Sequence, residues 1–163
     1  MKIRASQING CGFCTDMHTK DATAEGETAQ RLNLVAAWRE AKVFTEAERA
    51  ALELAEQGTR TADAAGGVTD GAWADAAKHF DEDQLAALVS LIAVINAYNR
   101  VNIIVQQPAG DYQPGMFGQP APARPDAPQV RLQTVATAAW RRPTGVAEKG
   151  QRTAFATHLL PPP

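Results

Sequence analysis

The chain has 163 residues, enough for one domain with a sizeable core, and its 45% hydrophobic fraction is ordinary for a globular protein. A net charge of −2 and a pI near 5.9 supply no broad basic surface, which removes the usual electrostatic source of binding to nucleic acid or acidic membranes. No apolar run approaches the roughly 20 residues that span a bilayer, and the polar stretch after Lys2 and Arg4 is no signal-peptide core, so a cytoplasmic protein with small-molecule or protein partners is expected.

Taken in chain order, the residues up to about 105 read as all-helical. A helix is expected to open at or just before Cys11 and to run to about Glu25, with Gly26 as its left-handed stop. A second follows over 27–39. Thr45 and Glu48 have the spacing of a capping box, which starts a third helix that ends near Gly58. A loop over 61–67 leads to a short helix over 70–79 with Trp73 and Ala77 on one face. Asp81, Glu82, Asp83 and Gln84 place acceptors and negative charge at the start of the longest element, which continues through Leu85, Ile92, Tyr98 and Ile104 for about seven turns. Its apolar surface is too wide for one partner, which implies burial within the domain and again against another subunit. No internal repeat is visible, and the short apolar run 101–105 fits a continuing helix as well as a strand.

Composition breaks after this region. The first proline is Pro108, and all ten of the chain's prolines fall at or after it. Residues 1–112 carry 16 acidic and 10 basic groups, whereas 113–163 carry 2 and 6. A helical domain over 1–112 is therefore expected, followed by a Pro-rich, disordered extension over 113–163 that holds too little apolar surface to offset its conformational entropy. A short helix near 131–140 is the one element that the extension suggests.

The chemistry lies in two cysteines three residues apart, Cys11 and Cys14. A bridge across so short a loop has little value as a staple, and one pair is the wrong usage for a secreted disulfide scaffold. On a helix, spacings of three and seven return to nearly the same direction, so Cys11, Cys14 and His18 form one stripe. A helix N-terminus favours thiolate over thiol, and His18, at i+4 from Cys14, is placed to take its proton or stabilise its anion. A thiolate attacks a peroxide O–O bond to give a sulfenic acid, which a second cysteine condenses to a disulfide. Cys14 is the better attacker by position, and Cys11, at the helix edge, is free to move and close the bond. The plainer alternatives are a pair of buried apolar cysteines or half of a zinc site. Zinc needs about four ligands, and only His18, His79 and His158 add nitrogen donors, so no metal and no cofactor are expected. Asp16 reads as solvated first-turn charge before it reads as an orienter of His18, His79 as a cap or surface residue, and Trp38 and Trp73 as core.

The run from Lys2 to His18, which contains Ser6-Gln7-Ile8-Asn9-Gly10-Cys11-Gly12-Phe13-Cys14, resembles the signature of the carboxymuconolactone decarboxylase superfamily in its alkylhydroperoxidase D-like branch. Later segments agree: Gly26-Glu27, Trp38-Arg39-Glu40, Phe44-Thr45 with Glu48 to Leu52, and Ile95 to Arg100. The resemblance covers about 2–112. It implies an all-α, alkylhydroperoxidase D-like helical bundle that assembles into homotrimers or hexamers, with hydroperoxides as substrate and a dithiol or a redox partner protein as reductant. It also implies that Cys14 is peroxidatic and Cys11 resolving, with His18 in the proton relay. The decarboxylase branch does not depend on a cysteine pair, so the motif counts against lactone decarboxylation. The family relay also uses a glutamate about a dozen residues before the first cysteine, a position that falls ahead of Met1, as does a leading helical segment. A late start or a shortened gene is the expectation. A noncatalytic or redox-sensing helical oligomer that keeps the motif without that glutamate is the alternative to a thiol peroxidase.

Overall fold

The computed structural model describes residues 1–64 and 66–117. Within them the chain forms six α-helices and no strand, as the periodicity predicts. The extension beyond 117, including the helix suggested near 131–140 and His158, lies outside the described residues.

Helix α1, Lys2–Asn9, precedes the first helix that periodicity singled out. It has no strong apolar stripe; two small residues, Ala5 and Ser6, are fully buried and let it approach α2, α4 and the long last helix closely. Gly10 ends it in the left-handed region, φ 72°, and the Gly10 and Cys11 amides donate to the carbonyls of Gln7 and Ser6. Helix α2, Gly12–Ala24, stops at Gly26, φ 96°. Helix α3, Ala29–Leu34, starts at Thr28, whose hydroxyl accepts from the Arg31 amide, and passes into a 3-10 turn, Val35–Ala37. It ends sooner than expected. The Arg49 guanidinium gathers the carbonyls of Trp38, Arg39 and Ala41, which draws the chain out of the helix and leaves Trp38 buried between the guanidinium groups of Arg39 and Arg49.

Helix α4, Glu46–Thr59, carries the complete Thr45/Glu48 capping box. Helix α5, Asp70–His79, is capped by Thr69. Its inward face is Ala72 and Ala76 with Trp73 beside them; Ala77 points to solvent, a correction to the predicted face. Helix α6, Glu82–Ile104, opens on an Asp81/Gln84 capping box. By length and composition it is apolar enough to cross a membrane, contrary to the expectation that no run would be. Asn96, Asn99 and Asn102 interrupt it.

The main core joins Leu54, Ala55, Ala76, Leu85 and Ile92, with Trp73, Phe80 and Leu88 around them. A second apolar cluster holds Cys11, Phe13, Cys14 and Tyr112, with Met17 against it. One stripe of α6 is left uncovered: Val94, Tyr98 and Val101, and Val105 just past the helix end, are each more than half exposed.

Candidate functional site

The site is made by the turn between α1 and α2. After the left-handed Gly10, Cys11 is extended (φ −80°, ψ 98°) and sits as the N-cap of α2. It is thus just outside the helix. Its Sγ accepts the Cys14 amide at 3.4 Å, the role a serine or aspartate oxygen plays in an ordinary cap. Cys14 follows inside the first turn. Both are reduced, at 2% and 1% exposure. Burial, and then the hydrogen bond from the Cys14 side chain, push the Cys11 thiol up, outweighing the Cys14 amide and an Asn99 hydrogen bond that pull it down.

Helix α6 reaches the Cys14 sulfur. Asn102 Nδ2 donates to Cys14 Sγ at 3.3 Å and to the Tyr98 carbonyl at 3.0 Å. Asn99 is fully buried, donates to Ser6 Oγ at 3.0 Å and accepts from Asn9 Nδ2 at 2.8 Å. Asn9 Nδ2 also meets Asn96 Oδ1 at 2.9 Å, and Asn96 donates to Thr59 Oγ1 at 3.1 Å. The turn that carries the cysteines is thereby tied to α4 and α6 through amide side chains.

His18 lies one turn beyond Cys14 on α2, and no hydrogen bond joins it to either sulfur. Its Nδ1 is buried without a partner. Burial first, and then the charge of Lys2, bring it down to about 4, so the imidazole is neutral at neutral pH. Asp16 neither points freely to solvent nor hydrogen-bonds His18. Its carboxylate accepts from Lys20 Nζ at 3.0 Å and from the Gly110 amide at 3.1 Å. Lys20 Nζ in turn donates to the carbonyls of Gly110 and Tyr112, and the Tyr112 hydroxyl donates to Asp21 at 2.8 Å. The segment 106–117 is so pinned along α2, with Phe13 edge-on to the Tyr112 and Phe117 rings over the cysteines. A shallow groove of about 590 Å³, bordered by Ser6, Gln7, Cys11, Gly12 and Thr15, opens beside Cys11; Cys14 does not line it.

Among the described residues no three of His, Cys, Asp and Glu converge as a metal would require. His79 is exposed at the end of α5, edge-on to Phe80. Sequence reasoning missed Asn99, Asn102, Lys20 and Tyr112. The asparagines did leave a signal: three of them at spacings of three, in a helix otherwise apolar, are poor helix formers on a face that should be buried.

The carboxymuconolactone decarboxylase family model matches residues 1–57. The uncharacterized protein YdfG of Bacillus subtilis is 45% identical over 103 residues, which cover 63% of this chain and 69% of that protein. The uncharacterized protein YnjA of Escherichia coli is 33% identical over 109 residues, covering 67% of this chain and 58% of its own length. Among solved structures, ATU0492 of Agrobacterium tumefaciens, a protein of unknown function named as a candidate AhpD antioxidant defence protein, aligns with a TM-score of 0.64 at 36% identity over 68% of this chain and 75% of its own.

Proposed function

Because this chain belongs to the carboxymuconolactone decarboxylase family, in its AhpD-like branch, we propose that it is a thiol-dependent peroxidase that reduces hydroperoxides through Cys14 and Cys11. The observation that carries the reading is the capping geometry: Cys11 Sγ lies against the Cys14 amide at 3.4 Å, so two reduced sulfurs share one helix N-terminus. In the first step the Cys14 thiolate attacks the distal oxygen of the hydroperoxide. The S–O bond forms, the O–O bond breaks, and the alkoxide leaves with a proton as the alcohol. In the second, Cys11 sulfur attacks the Cys14 sulfenic acid and water leaves; the two cysteines, now a disulfide, have passed two electrons to the peroxide. A dithiol, small or protein-borne, returns both cysteines to thiols by exchange.

The shift of Cys11 upward supports this division of labour, since a thiol that stays protonated is the poorer attacker and the later partner. His18, one turn beyond Cys14, is the proposed proton acceptor; burial keeps it a weak base in the closed site, and solvation on opening to substrate would strengthen it. The uncovered stripe Val94, Tyr98, Val101 and Val105 supports a homo-oligomer, which light scattering on the purified chain measures.

One feature favours a second reading. Cys11 and Cys14 are nearly sealed, as befits a redox sensor that oxidises once and stops. Steady-state consumption of an organic hydroperoxide with excess dithiol separates the two. The peroxidase turns over many times, with Cys14→Ser inactive and Cys11→Ser accumulating sulfenate by mass spectrometry; a single stoichiometric oxidation decides for the sensor.

A further inference from the structure

Two pairs of residues on different helices run in the same register. Cys11 and Cys14 are three apart at the start of α2; Asn99 and Asn102 are three apart near the end of α6. Asn102 meets a cysteine directly, its Nδ2 standing 3.3 Å from Cys14 Sγ, while Asn99 meets Ser6 and Asn9 of the helix that leads into Cys11. The Asn102 amide is aimed by its own helix, because the same nitrogen donates its second hydrogen to the Tyr98 carbonyl one turn earlier. Asn99 is held by Ser6 and Asn9.

We propose that Asn102 is a catalytic residue of the thiol site, the fixed N–H donor that stabilises the Cys14 thiolate, with Asn99 positioning the turn that carries Cys11 through Ser6 and Asn9. A carboxamide is suited to this. It donates at every pH, it brings no counter-charge that would hold a proton nearby, and its hydrogen bond strengthens as the sulfur gains negative charge. The Cys14 sulfur is buried away from water, so an N–H on it has no aqueous competitor. The inward-facing amides at 96, 99 and 102 thereby acquire a purpose that packing alone does not give them: the first two lock the α1 to α2 turn, and the third addresses the reacting atom.

The inference rests on the peroxidase reading for its consequence in turnover, but its test is independent of peroxide. In a Cys11→Ser background, where serine keeps the cap and Cys14 is the sole thiol, the pH dependence of alkylation by iodoacetamide gives the ionisation midpoint of Cys14. Asn102→Ser, too short to reach the sulfur, is expected to raise that midpoint by about one pH unit and to slow alkylation below it about tenfold. Asn102→Asp, of equal size but negatively charged, is expected to raise it further, an order that a purely structural role does not produce. A Cys14 midpoint unchanged in both variants, with melting temperatures close to the parent, overturns the assignment. Shifted midpoints in a parent protein that turns over no peroxide overturn the peroxidase reading and leave the donor role standing.

Discussion

Arg4 holds Glu56 in a bidentate pair through one guanidinium edge, Nε to Oε2 at 2.5 Å and Nη2 to Oε1 at 2.8 Å, across 52 positions of sequence. Glu56 is 5% exposed and also accepts from Arg60 at 2.9 Å and from the Trp38 indole. This is the charged bolt between α1 and α4, and the turn bearing Cys11 begins one helix length away from it.

Burial by itself works to raise the Glu56 carboxyl, but the hydrogen bonds of Arg4 and then Arg60 overcome it and hold the group at about 2. Because the folded value is depressed, the contribution to stability is complete above the ordinary value of 4.5 and is lost as pH falls towards 2. It is on the order of 3 kcal/mol. Urea melts at pH 5 and pH 3 are expected to show Glu56→Gln losing less stability between the two than the parent. Equal losses in both proteins contradict the assignment. Arg4→Ala leaves a buried carboxylate half-paired and should cost about 3 kcal/mol at pH 7.

His18 acts in a different window. With its folded value near 4 against an ordinary 6.5, the native imidazole refuses a proton that the unfolded chain accepts. The stability linked to it is therefore complete above pH 6.5 and is lost as pH falls from there to 4. The imidazole carbon resonances of His18 are expected to titrate near pH 4, and His18→Phe should flatten the stability profile between pH 6.5 and 4. A midpoint near 6.5 would show the ring to be solvated and its stability linkage to be absent.

What could be read from the sequence was local. Thr45 with Glu48, Asp81 with Gln84, and Gly26 each act within a turn of the helix end they set, so their spacing is a sufficient signal. The cysteine pair and His18 were legible for the same reason, since an N-cap and two positions in the turns that follow it need no tertiary information, although Cys11 proved to lie just outside the helix. The rest of the site is assembled across long separations. Asn9 meets Asn96 and Asn99 across 87 and 90 positions, and Asn102 meets Cys14 across 88. No period in α6 says which of its faces turns to α1. Asp16 was misjudged because its partner, the Gly110 amide, is 94 positions away, past the end of the last helix, where no periodicity marks a contact. The early end of α3 depended on Arg49, one side chain reaching three carbonyls.

Gly10 sets the angle at which Cys11 enters α2. At φ 72° a side chain is strained even though a Cβ there meets nothing within 4 Å, so the penalty is conformational and not steric crowding by neighbours. Gly10→Ala should cost about 1 kcal/mol, and Gly10→Asn less, because asparagine tolerates the left-handed region. Denaturation midpoints of the two variants give the order; an alanine variant as stable as the parent removes the turn as a constraint on the site.

The segment 106–117 packs against the cysteine cluster, and its opening is expected to set how reagents reach the thiols. It lies on α2 through Lys20 Nζ, which donates to the carbonyls of Gly110 and Tyr112, and through Asp16, which takes the Gly110 amide. Tyr112 is itself part of the apolar cluster around Cys11 and Cys14. Lys20→Met keeps the aliphatic stem of the side chain but withdraws three donated hydrogen bonds, two of them to this segment. Opening should become more frequent while the helices, which Lys20 does not join to one another, keep their stability. Under conditions where reclosing is faster than modification, alkylation follows the open population, so a severalfold faster reaction of Cys14 is expected with an unchanged helical melt. An unaltered rate places the route to the sulfur elsewhere, through the groove beside Cys11.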